Sequence, residues 1–215
     1  ACQTCHIPTF ARVNATKTGW DWSTAGDQNR VPVIDPITGK PDYDPTKGDF
    51  IWELNVVPSV LWYDHEWNRI VIGQNDIYPD DASETDPNNP VVLAAPTADI
   101  NTSGAKLYPF KAMRGMQPAD IVLNRILSPH LFGTAGGDNP YWGTWDWDLA
   151  LQDGAAYTGL PYTPGSNGFV NTLMYLTVNH EVAPAPQARQ CADCHFGGTF
   201  LDWEALGYDG DPIGN

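Results

Sequence analysis

Cysteine is nearly absent from this chain of 215 residues: there are four, and none stands outside two five-residue motifs. That scarcity excludes a scaffold stapled by disulfides along its length. Cations are few as well, 11 Lys and Arg against 26 Asp and Glu, for a formal charge of −15. Such a balance makes nucleic acid and anionic membrane surfaces poor partners and leaves basic redox proteins or a mineral surface. No apolar run approaches the ~18 residues of a membrane-spanning helix. No signal peptide is visible, so the first residue reads as a processed, mature terminus. Five histidines and three methionines are few enough for each to be weighed as a metal ligand.

The four cysteines fall in Cys2-Gln3-Thr4-Cys5-His6 and Cys191-Ala192-Asp193-Cys194-His195. Cys-x-x-Cys-His is the attachment signature of c-type haem, with two thioethers to the porphyrin and the adjacent imidazole on iron. A zinc site or a disulfide could use four cysteines, but neither explains why histidine follows both pairs. The reading is therefore two covalent haems, attached through Cys2, Cys5, Cys191 and Cys194, with His6 and His195 as proximal ligands. Covalent attachment takes place outside the cytoplasm, which implies an extracellular or periplasmic location.

Each iron needs a ligand on its second side, which tunes potential and decides whether a substrate can enter. His65, His130 and His180 are left for two positions. His180 is preferred because it lies eleven residues before Cys191, near enough to reach a haem cluster. His65 and His130 are the lesser candidates. Methionine is the other common distal ligand; Met113, and beside it Met116, flank a glycine in an irregular-looking stretch, whereas Met174 lies in an apolar run and reads as core.

Turn formers are plentiful, with 20 Gly and 19 Pro, so long regular elements should be few. Residues from Gly26 to Asp49 read as a surface loop, with calcium as a further candidate because of its carboxylates. The aromatic and β-branched runs between Val60 and Ile72 predict a hairpin with His65 at its tip. "YPDDASETDPNNP" predicts another loop. Helices are predicted from Gln117-Pro118 to Ser128, from Thr144 to Gly154, from Gly168 to His180, from near Pro186 into the second motif, and from Asp202 to Leu206. Together these predict one dihaem domain over residues 1–215, mainly irregular and α with few short strands, loop-rich over 20–110 and helical and haem-binding over 117–207.

The stretches "AKLYPFKAMRGMQPAD", "YWGTWDWDLA" and "GLPYTPGSNGFVNTLMYLTVNHEVAPAPQARQCADCH" resemble the C-terminal part of the octahaem tetrathionate reductase family of multihaem cytochromes, over roughly Gly48 to His195. The resemblance implies that His180 is a distal haem ligand. Departures are plain: the family carries eight haems and a catalytic haem with a lysine ligand whose motif is missing here. It has histidine where this chain has Met113, and none at His65 or His130. The expectation is a dihaem electron carrier rather than an enzyme, serving redox partners or an extracellular acceptor. One histidine given to a neighbouring copy's iron would let copies polymerise into a conductive filament. The alternative is a fragment or subunit of a multihaem reductase acting on a small sulfur or nitrogen oxyanion. By sequence the haems lie at opposite ends, which suggests electrons passed from one end to the other.

Overall fold

The computed structural model describes residues 1–79, 81–133 and 138–213. Its frame is a mixed sheet of nine strands among the described residues: β1 (Thr16–Asp21), β2 (Tyr43–Asp44), β3 (Gly48–Glu53), β4 (Ser59–Tyr63), β5 (Trp67–Arg69), β6 (Val91–Pro96), β7 (Lys106–Asp120), β8 (Arg125–Ile126) and β9 (Asn167–Thr177). Helices are short: α1 (Cys2–His6), α2 (Tyr141–Thr144), α3 (Trp147–Thr158) and α4 (Cys191–Cys194). The main path runs β2-β3-β1-β7-β9-β6-β5, with β4 and β8 also on β7. The pairs β1/β7 and β6/β9 are parallel and the others antiparallel.

The long central strand β7 organises everything else. Along it, β4 pairs with residues 106–110, β1 with 114–116 and β8 with 119–120, while β9 pairs with every residue from Phe110 to Asp120. From Leu107 to Ala119 the strand covers about 40 Å at ~3.3 Å per residue. Its two ends therefore belong to different parts of the molecule. Ile7, Phe10, Ala11 and Val178 form a core cluster at the Lys106 end, where the Val178 N–H also donates to the Pro109 carbonyl at 3.1 Å. Toward the Asp120 end lie two further clusters, Tyr78, Val91, Ala119, Ile126 and Val170, then Leu127, Leu151 and Ala155 against α3.

The mainly irregular and α expectation is corrected: the protein is sheet-dominated. Two helices predicted from sequence are strands, each for a definable reason. At Gln117-Pro118 the chain is still in β7, with Pro118 opposite Phe169. The apolar residues after it form a tight turn, because the fully buried Asp120 carboxylate accepts the N–H groups of Val122 and Leu123, both at 2.9 Å. The turn returns the chain at once to β8, which pairs back on Ala119 and Asp120, so no helix follows. The run Gly168–His180 is apolar and long, but it carries Val170, Thr172 and Thr177 and finds an eleven-residue partner in β7. β-Branched side chains and a full ladder outweigh length as a helix signal.

Other local expectations fare variously. Val60–Ile72 contains β4 and β5, yet these do not pair with each other; β4 joins β7 and β5 joins β6, with His65 in the turn between. The Thr144 helix starts later, capped by Asp146, and runs on to Gly159 in the left-handed region. Before the second motif there is only a 3-10 turn, Ala185–Gln187, and α4 spans one turn. Asp202–Leu206 forms a single turn held by the Asp202 carboxylate on the Ala205 N–H at 3.0 Å. In the 26–49 segment, short strands interrupt the loop and its carboxylates are taken up locally: Asp35 on Ile37 and Thr38, Asp42 and Asp49 on Arg30, Asp44 on Thr46 and Lys47. Among the described residues no three His, Cys, Asp or Glu side chains gather as a metal cluster, for calcium or for zinc. In the "YPDDASETDPNNP" loop a 3-10 turn covers Asp81–Glu84, and residue 80 lies outside the described residues.

Candidate haem site

The two Cys-x-x-Cys-His motifs, 189 positions apart in sequence, sit against each other. Ala183 and His6 bond reciprocally: the Ala183 N–H donates to the His6 carbonyl at 2.7 Å, and His6 Nδ1 lies 3.2 Å from the Ala183 carbonyl. The Arg189 N–H donates to the Cys5 carbonyl at 2.9 Å and its guanidinium to the Pro8 carbonyl at 3.1 Å. A turn at Glu181, with φ of 63°, sends the chain along this path. Its carboxylate accepts the N–H groups of Ala11 and Arg12 at 3.0 and 2.8 Å. The expectation of haems at opposite ends of the molecule is overturned by this clasp.

Each motif is one helical turn, which puts positions i and i+3 on a common face with both thiols directed the same way. All four cysteines are free thiols, and only Cys194 is even half-buried. Burial, and after it the proximity of Cys5 and Asp193, push the Cys194 thiol up. The Cys5 contribution follows from the clasp between the motifs.

Both motif histidines, His6 and His195, are held at Nδ1, which leaves Nε2 open; this is the usual outer-sphere device for orienting a metal-ligating imidazole. His6 uses a backbone carbonyl. His195 uses a carboxylate, Asp211 Oδ1, at 2.6 Å. The indole of Trp203 stacks on the His195 ring at 4.9 Å and donates its N–H to the Cys194 carbonyl at 2.9 Å. Burial alone would raise the Asp211 carboxyl, but hydrogen bonds from His195, Phe196 and Ile213 outweigh it and hold the group below the usual carboxylate range. Arg189, between the motifs, has a buried Nε–H with no partner among the described residues. A buried guanidinium donor left open beside two haem motifs suits a porphyrin propionate. Free thiols on one face, pre-oriented imidazoles and an open arginine donor fit c-type haem.

The distal candidates separate sharply. His180 is exposed and borders a cleft of about 430 Å³ lined by Phe10, Ala11, Thr16 and Lys111, directly beside the chain that leaves the first motif. His65 follows β4, in the left-handed region at φ of 81°, packed on the Tyr63 ring at 4.8 Å. Tyr63 pairs with Lys106, while the Ala1 nitrogen and the Thr4 hydroxyl both donate to the Leu107 carbonyl, so His65 shares the motif end of β7. His130 does not. Its N–H donates to the Ala150 carbonyl in α3 and its ring faces Asp153 at 3.5 Å, at the Asp120 end of the sheet. Met113 and Met174 are cross-strand partners within β7 and β9, and Met116 pairs with Asn171. The irregular look of the Met113–Met116 stretch hid a continuous ladder.

Sequence reasoning missed Asp211, Ala183 and Trp203. A carboxylate 16 residues past a histidine, among 26 acidic residues, carries no signal of its own. Ala183 could have been suspected, since it precedes Pro184 and so is biased to the extended backbone that lets it pair with a neighbouring segment.

The model of the bacterial cytochrome c family matches residues 17–198. A crystal structure of an octahaem cytochrome c from Shewanella oneidensis is 41% identical, with a TM-score of 0.85, over all of this chain and 47% of its own. The chain thus spans about half the length of that protein. No curated protein matches. Likeness to half of an eight-haem cytochrome overturns the expectation that the chain is not an enzyme, while haem-based electron transfer stands. With both motifs intact and the match running across the sheet between them, the chain belongs to the bacterial cytochrome c family, whose haem is covalently bound.

Proposed function

We propose that this chain carries two c-type haems as a close pair and moves electrons between them and external redox partners, outside the cytoplasm. The observation that carries the reading is the clasp: segment 183–189 bonded to segment 5–8 brings the attachment points together, as fast electron exchange requires. When bound, the haem irons supply one-electron chemistry. The residues attach and orient them: Cys2 and Cys5 with His6, Cys191 and Cys194 with His195, and His180 and His65 as the distal imidazoles at the same end of the sheet. Arg189 supplies a donor for a propionate. The four cysteines account for two haems and no more. Among the described residues, no helix is long and apolar enough to cross a membrane.

The test is haem quantitation and intact mass on protein matured with its haem, together with electron paramagnetic resonance of the oxidised form. Two covalent haems with low-spin signals broadened by mutual coupling are expected. A single haem, or two magnetically isolated ones, would sink the reading.

One observation favours a finer reading, self-assembly. His130 stands at the far end from both motifs, on a cleft of about 840 Å³ lined also by Leu131, Phe132, Ala156 and Tyr157, with Phe132 and Tyr157 exposed. A histidine beyond reach of its own chain's irons could serve those of a second copy, in an extracellular filament with haem contacts across subunits. Sedimentation of the wild type against His130→Ala distinguishes the two: assembly lost in the variant supports the filament, and a monomeric wild type removes it.

A further inference from the structure

The two motif imidazoles differ in the partner of Nδ1. His6 Nδ1 meets a neutral carbonyl, that of Ala183, at 3.2 Å. His195 Nδ1 meets a carboxylate oxygen at 2.6 Å, shorter than a neutral nitrogen–oxygen hydrogen bond, as bonds to an ionised acceptor are. Asp211 is not a loose surface acid. The Phe196 N–H holds its second oxygen at 2.7 Å, the Ile213 N–H shares the first at 3.1 Å, and the paired side chains of His195 and Asp211 are only 20% and 16% exposed. Trp203, stacked on the His195 ring at 4.9 Å, fixes the imidazole plane. A carboxylate fixed in this way draws the Nδ1 proton toward itself and makes the ring a stronger electron donor at Nε2. A stronger donor favours ferric over ferrous iron and lowers the reduction potential.

We propose that Asp211 is a positioning residue that sets the haem of Cys191 and Cys194 at a lower potential than the haem of Cys2 and Cys5. The inference rests on the two-haem reading above and deepens it by giving the pair a direction: the first electron into the oxidised protein resides on the N-terminal haem, and the C-terminal haem is the stronger reductant. The step is a one-electron transfer from ferrous to ferric iron within the pair, with no proton or bond change.

Potentiometric titration of the haem-loaded full chain, followed optically and by electron paramagnetic resonance, tests this in the wild type, D211N and D211E. In D211N one midpoint rises while the other stays, and the low-spin signal of one haem changes its g-anisotropy; D211E, which keeps the charge, moves back toward the wild-type values. A merely structural role would lower stability in both variants without selecting one haem. Both midpoints unmoved, or moved equally, overturns the inference while leaving the two-haem reading intact. The wild type supplies a second test should D211N load poorly. The variant C191S/C194S retains only the N-terminal haem, and its midpoint must match the higher of the two wild-type values; a match to the lower overturns the inference. A wild type with fewer than two haems refutes the underlying reading instead.

Discussion

The two haem motifs share five-residue patterns and differ in what they stand on. The N-terminal motif is seated on the sheet: Thr4 bonds to β7, and Ile7 and Phe10, fully or nearly fully buried, anchor it in a core cluster with Val178. The C-terminal motif buries no residue of its helix and supplies its own cap, in which Gln190 and Asp193 satisfy each other's backbone. It stands on the first motif through Arg189 and on the tail through Asp211 and Trp203. Identical chemistry in sequence thus becomes a foundation and a superstructure. Damage to the first should reach both haems, and damage to the second should stop there.

The largest test of that asymmetry is Phe10→Ala. Removing a buried phenylalanine costs about 3–5 kcal/mol, and here it removes the seat shared by both motifs. Chemical denaturation with haem quantitation should show a large loss of stability with both haems under-loaded, whereas C191S/C194S should lose one haem and keep the other. Full loading of the second haem in the Phe10 variant would reverse the hierarchy.

The far end of the sheet serves as the control. Asp120 is fully buried and accepts from Val122, Leu123 and, at 2.7 Å, Thr163. Asp120→Ala strands these donors at a cost of about 2–4 kcal/mol, and it should leave both haem potentials unchanged, since it sits about 40 Å of strand away. Burial would by itself raise this carboxyl, but the hydrogen bonds prevail and hold it below the usual range. A depressed folded pKa gives stability that is present above the unfolded value, near ~3.9, and lost as pH falls through the folded one. Asp120→Asn should therefore flatten the acid limb of the stability curve below about pH 4, read by urea midpoints across pH. A limb as steep as the wild type's would show that other carboxylates control it.

How much of this could be seen in the sequence follows from the range over which each signal acts. The two Cys-x-x-Cys-His patterns are legible because covalent haem attachment imposes a local pattern. The strands were not, because β7 and β9 read as helix or irregular chain until they are paired with each other. Pro118 and Asp120 mimic a helix start, and only the ladder to Phe169 shows otherwise. The partners of the imidazoles were hidden for the same reason: Ala183 and Asp211 act across a fold, 177 and 16 positions from their histidines. Proximity of the two motifs, the most consequential fact for electron transfer, has no sequence signal whatever. Their separation along the chain pointed the other way.

Between seat and superstructure lies the clasp, and Glu181 tests it at a smaller scale. Its carboxylate holds the Ala11 and Arg12 N–H groups and pairs with the Arg12 guanidinium, the two charged side chains being partly exposed. Glu181→Gln retains an acceptor but loses the charge, so about 1 kcal/mol is expected. Because the same turn carries His180, the optical spectrum of one haem should change with it; a spectrum identical to the wild type's would detach His180 from any iron.

The smallest effect is also the most specific. Arg189→Lys keeps the charge between the motifs but gives up the planar fork that reaches the Pro8 carbonyl and lies 4.2 Å from the Phe200 ring. Lysine cannot reproduce a bidentate or stacked arginine, and the loss should be about 0.5–1 kcal/mol. If the unpartnered Nε–H faces a propionate of the second haem, the substitution costs more when that haem is attached. A double-mutant cycle with C191S/C194S isolates the difference, and a coupling of about 1 kcal/mol is expected. Zero coupling would assign Arg189 to the first motif alone, and the superstructure would then be joined to its foundation only by the backbone.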